Sequence, residues 1–165
     1  MRKWRGFSTA RCVQNALFVN APRNKAPPAS WRIQRGSGVV PKGERPAILL
    51  VDPDRAARTP IAHALSERFA VYEVEDGLVA IRLATMIPNL AVVVSEVTLP
   101  SFDGLDLAKL FKAHAQLRDV PFVFLSQRAT PNDVMRLVSA GARGYVPKTQ
   151  TPAKIVAAVG RFARE

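Results

Sequence analysis

At 165 residues with a hydrophobic fraction of 48%, the chain is long enough for one packed domain plus an appendage. No apolar run approaches the ~18 residues of a membrane span. The single Cys12 excludes an internal disulfide, which fits a reducing, cytosolic setting. The net charge of +11 is uneven, since residues 1–46 hold ten Lys and Arg against the one acid Glu44, whereas residues 47–165 hold 14 basic and 12 acidic side chains.

Residues 1–46 show no sustained helical or strand period and are broken by Pro27-Pro28 and by Gly36-Ser37-Gly38. Such a segment has little apolar surface to offset its ordering entropy, so a basic, disordered extension is expected. It reads as an arm for nucleic acid or another polyanion, with Trp4 and Trp31 available to stack, as an Arg-rich transit peptide, or as a solvated tail.

From Ala47 the texture changes. Ala47–Val51 is a continuous apolar run, as expected of a strand buried on both faces of a parallel sheet, and it ends in Asp52-Pro53-Asp54. A helix follows with Ile61, Ala64, Leu65 and Phe69 on one face. Pro60 leaves two readings: a helix from Arg55 that carries the proline inside it, or a regular part with Thr59 as N-cap and Pro60 at its first position. Ala70–Val74 is a second strand, and Gly77 opens a helix bearing Val79, Ala80, Leu83 and Met86. Leu90–Val94 is the third strand, leading into Ser95-Glu96; Asp103 caps the next helix, with Leu105, Leu107, Ala108, Leu110 and Phe111 supplying its apolar side. Pro121–Leu125 is the fourth strand, ending at Ser126. Thr130 caps a helix carrying Val134, Leu137 and Val138, which Gly141 stops. Gly144–Val146 is the fifth strand and runs to Pro147-Lys148. Thr151 caps the last helix, with Ile155, Val156, Val159 and Phe162 inward.

Five βα units in residues 47–165 specify a three-layer α/β/α fold around a doubly wound, five-stranded parallel sheet. Asp52, Glu96, Ser126 and Lys148 then converge at the C-terminal edge of that sheet, where such folds bind ligands. Two acids, a hydroxyl and a lysine suit phosphoryl transfer: carboxylates for a divalent cation, a lysine for phosphate charge, a hydroxyl for the phosphoryl oxygens. Ser95 precedes Glu96 and points to the other side of its strand, which makes it a poor acceptor. His63 and His114 have no partners at ligand spacing, and Ser126 has no histidine at triad spacing, so neither a metal cluster nor a hydrolase is supported.

ILLVD at the first strand, EVTLPSFDGL after the third, FVFLS at the fourth and GARGYVPK at the fifth resemble the receiver domain of two-component response regulators over residues 47 to about 164. The resemblance implies the flavodoxin-like (βα)5 fold and a phosphoryl group received from a histidine kinase onto an aspartate ending the third strand. It also implies Mg²⁺ held by two acids after the first strand. Glu96 stands at the acceptor position, Pro53 at the second metal acid, and Gln127 where a small residue is usual. Asp52 keeps the first metal position, and Asp54 lies one place beyond the pair and could swing in to replace the lost carboxylate. Ser126 and Tyr145 keep the switch positions and Lys148 the phosphate-sensing position. An intact readout set beside a defective acceptor set leads us to expect a non-enzymatic pseudo-receiver, without a resident Mg²⁺. With no output domain in the sequence, its signal passes to a partner such as a histidine kinase or a downstream effector. The plain alternative is that Glu96–Lys148 is only a structural ion pair.

Overall fold

A computed structural model describes residues 33–34, 45–101, 103–127 and 130–163. Its strands are β1 (Ile33–Gln34), β2 (Ala47–Val51), β3 (Ala70–Val74), β4 (Leu90–Ser95), β5 (Phe122–Ser126) and β6 (Gly144–Pro147). The helices are α1 (Arg55–Ser66), α2 (Gly77–Ala84), α3 (Gly104–Ala113), α4 (Pro131–Ser139) and α5 (Pro152–Phe162). The strand order is β1-β3-β2-β4-β5-β6, in which β3 to β6 and β2 are all parallel. This is the expected doubly wound, flavodoxin-like arrangement of five parallel strands. The strand order reverses at β2, so the crevice between the C-terminal ends of β2 and β4 is the switch point at which these folds place a site.

One strand departs from expectation. β1 lies within the segment read as an aperiodic extension and pairs antiparallel with the edge strand β3, Ile33 opposite Tyr72 and Gln34 opposite Val71. Two residues of backbone pairing need no hydrophobic period, which is why the pattern does not announce them.

Alternation along the strands feeds two cores. Leu49, Val51, Val93, Phe122 and Phe124 face α2, α3 and α4, where Leu83, Leu107, Phe111 and Leu137 complete the cluster. Ile48, Leu50, Val94, Val123 and Leu125 face α1 and α5 and meet Ile61, Leu65, Ile155 and Val159. Phe111 packs edge-on to Phe122 with ring centroids 5.3 Å apart, an arrangement that adds about 1 kcal/mol to the apolar burial itself.

The helix boundaries follow their caps. Asp54 accepts from Ala56 N and Ala57 N, so α1 starts at Arg55 and carries Pro60 inside it; the alternative start at Thr59–Pro60 is corrected. That cap settles the boundary because it satisfies two of the amides that a helix start leaves without partners. Thr130 and Asp133 form a reciprocal capping box on α4. Gly141 ends the turn after α4 with φ 96, a left-handed conformation that glycine adopts without a Cβ penalty. Thr151 occupies the N-cap of α5 but makes no side-chain cap bond, and Pro152 sets the first turn. Two side chains assigned to helix cores are exposed, Met86 and Val138.

Candidate functional site

β2, β4 and β6 each end by delivering one charged side chain to the α1/α5 side of the sheet. Asp52 follows β2 in phase with Ile48 and Leu50, Glu96 follows β4 in phase with Val92 and Val94, and Lys148 follows β6 in phase with Val146. Their side chains meet. Lys148 Nζ lies 2.6 Å from Asp52 Oδ2 and 2.5 Å from Glu96 Oε2, with only 4% of the lysine side chain, 1% of Asp52 and 12% of Glu96 exposed.

The far oxygen of each carboxylate is held by backbone. Asp52 Oδ1 accepts from Asp54 N at 3.0 Å, and Glu96 Oε1 accepts from Val97 N at 2.7 Å. The loop after β4 is fixed as well: Gly104 N donates to Val97 O at 2.7 Å. A Cβ on Gly104 would come within 2.5 Å of Glu96 O and 2.8 Å of Val97 O, so only glycine lets α3 start this close to the loop.

Burial pulls the Lys148 ammonium down, but Asp52 and Glu96 outweigh it and hold lysine above its ordinary value. Burial pushes the Asp52 carboxyl up, and the Glu96 charge adds to this, against the lowering influence of Lys148 and of the Asp54 amide. Lys148 is therefore a firmly charged cation shared by two acids.

Ser126 and Tyr145, the residues that the resemblance implies as switch positions, meet at the same edge. Tyr145 Oη donates to Ser126 O at 3.2 Å, and Lys148 N donates to the same carbonyl at 2.9 Å, so the ends of β5 and β6 are tied at one point. Burial raises the Tyr145 hydroxyl's pKa, helped by the negative charges of Glu96 and Asp133. Ser95 is buried and donates to Glu96 O at 2.8 Å, away from the acid cluster.

Asp54 is not brought into the pocket. Its Oδ1 accepts from Ala56 N at 2.9 Å and Ala57 N at 3.2 Å on an exposed helix start, so here its carboxylate serves as the cap of α1. The missed residues are Arg58 and Glu73. Arg58 Nε meets Glu73 Oε2 at 3.0 Å, Nη2 meets Glu75 Oε1 at 2.8 Å, and Nη1 donates to the backbone oxygen of Asp52. A signal exists in the sequence: Arg58 shares a helix face with Ile61, Ala62 and Leu65, and Glu73 interrupts an otherwise apolar strand.

The response regulator receiver domain model matches residues 48–160. The chain belongs to this family. It is 29% identical over 117 residues to two-component response regulator ORR3 of Oryza sativa, covering 70% of this chain and 88% of that protein. It is 30% identical over 114 residues to ORR11 of the same species, covering 68% and 78%. Among solved structures, the receiver domain of the sensor histidine kinase PA1611 from Pseudomonas aeruginosa is 25% identical with a TM-score of 0.67, covering 73% of this chain and 99% of that one. The chemotaxis regulator CheY4 of Vibrio cholerae, 23% identical with a TM-score of 0.67 over 72% of this chain and 98% of that one, shares the fold.

The PA1611 receiver is described with a magnesium ion in its active-site cleft. The corresponding residues of this receiver domain do not fit such an ion. The Pro53 side chain offers no carboxylate, Asp54 is engaged on α1, and the facing oxygens of Asp52 and Glu96 are both against Lys148 Nζ. Among the described residues, no group of three or more Asp, Glu, His or Cys side chains is placed to hold a metal. No helix among them is long and apolar enough to cross a membrane.

Proposed function

We propose that this receiver domain signals as a pseudo-receiver, through protein–protein contact and without ordinary aspartyl phosphorylation. The observation that carries the reading is the Lys148 ammonium, held by Asp52 on one side and by Glu96 on the other. Glutamate is one methylene longer than aspartate. Its carboxylate thus reaches the phosphate-sensing lysine with no phosphoryl group between them, and keeps the readout half of the pocket engaged. Tyr145, tied to the Ser126 carbonyl, extends that engagement to the β6 edge. A groove of about 450 Å³ opens there, lined by Tyr145, Pro147, Gln150, Lys154 and Arg161 among others, and it is the face on which a histidine kinase or effector protein would dock.

The test is labelling of the full chain by a small-molecule phosphodonor in the presence of Mg²⁺. No incorporation is expected. Incorporation that is abolished by Glu96→Ala would overturn the proposal.

A further inference from the structure

We propose that Lys148 is the resident cation of this pocket, and that the site refuses divalent metal because the chain supplies its own positive charge. The inference rests on reading Glu96 as the residue in the acceptor position. Mg²⁺ requires near-ideal octahedral oxygen coordination at about 2.0–2.1 Å and gives up its water reluctantly. Here one ammonium sits 2.6 Å and 2.5 Å from the carboxylate oxygens that Asp52 and Glu96 present to each other at the ends of β2 and β4. The remaining oxygen of each acid is taken by a backbone amide, Asp54 N at 3.0 Å and Val97 N at 2.7 Å. An arriving metal would have to displace a buried lysine that is only 4% exposed, and would find proline where a third oxygen is needed.

Those two amides also report on the site, because each donates to one of the two carboxylates that a metal would have to capture. ¹H–¹⁵N spectra of the full chain, titrated with MgCl₂ to about 10 mM against NaCl of equal ionic strength, therefore read the pocket directly. The Asp54 and Val97 amides of the wild-type chain are expected to show no saturable shift specific to Mg²⁺. Lys148→Met, which removes the internal cation and leaves both carboxylates unneutralised, should make both amides respond. Lys148→Gln, which also removes the charge and keeps a hydrogen-bonding side chain for the two acids, should give the same response and carries the test if Lys148→Met does not fold. A saturable Mg²⁺ response in the wild-type chain overturns the proposal. So does silence of either folded variant. Phosphodonor labelling of a wild-type chain whose amides stay silent would overturn the pseudo-receiver reading alone. A metal response without labelling would overturn only the resident-cation assignment.

Discussion

Replacing Lys148 by methionine keeps most of the side-chain volume and removes the one charge that two acids share. The lysine and Asp52 side chains are 4% and 1% exposed, so solvent screening does little to soften the loss. At neutral pH the variant must either leave two carboxylates unneutralised or protonate one of them. Protonating a carboxyl of ordinary pKa near 4 costs about 1.4 kcal/mol per pH unit, which sets a ceiling of about 4 kcal/mol at pH 7. Removing one partner of a buried ion pair costs about 3–5 kcal/mol, the same range. We therefore expect a destabilisation of about 3–4 kcal/mol at pH 7, falling to about 1 kcal/mol at pH 5, where protonation is nearly free. The sign follows from the variant's shared carboxyl, whose folded pKa is raised. Its contribution is present at low pH and is lost as pH rises through that folded value. Lys148 itself stays charged throughout this window, so its own titration adds no slope to the wild-type chain. Urea unfolding at the two pH values measures both numbers. A deficit below about 1 kcal/mol at pH 7, or one equal at both pH values, would refute the reasoning. The double variant Lys148→Met/Glu96→Leu should recover most of the loss, since it removes an unpaired charge along with its partner.

Arg58→Met strands Glu73, whose side chain is 6% exposed, and should cost about 3–5 kcal/mol in chemical denaturation. Glu75→Gln touches the same guanidinium through an acid that is 62% exposed, and should cost less than about 1 kcal/mol; equal effects would show that burial does not govern this cluster. At the alkaline end, the raised Lys148 pKa means that its stabilisation is complete below the ordinary lysine value of 10.5 and is lost as pH rises through the higher folded value. In Glu96→Gln that loss should begin at lower pH, because one of the two acids holding the proton is gone. A pH titration of thermal unfolding compares the two chains, and coincident alkaline limbs would contradict the shared-cation geometry.

The fold was legible because its signals are redundant. The central strands β2, β4 and β5 are apolar runs buried on both faces, and four of the five helices begin on an Asp or Thr whose side chain accepts cap bonds. The meeting of Asp52, Glu96 and Lys148 was legible too, because strand topology alone brings their positions to one edge. Asp54 was not, since one carboxylate near a pocket serves equally well as a metal acid or a helix cap, and only backbone geometry distinguishes them. Arg58 was hidden by its type: an arginine on an apolar helix face reads as a surface residue until a buried acid on the neighbouring strand is known. Val138 fails in the opposite sense. It satisfies the helical period of α4 yet stands 56% exposed, because a period assigns a face and not the packing that covers it.

Gly104 carries a consequence for how this pocket can be altered. The carbonyls of Glu96 and Val97 are pressed against the start of α3 by contacts that involve no atom of the Glu96 side chain. The path of the loop and the chemistry at its tip are thus separately adjustable. An exchange of side chain at position 96 gives up the Val97 amide bond and changes what the pocket can bind while the Gly104 contacts stay in place, whereas one added methyl group at position 104 would move the scaffold and leave the chemistry without an address.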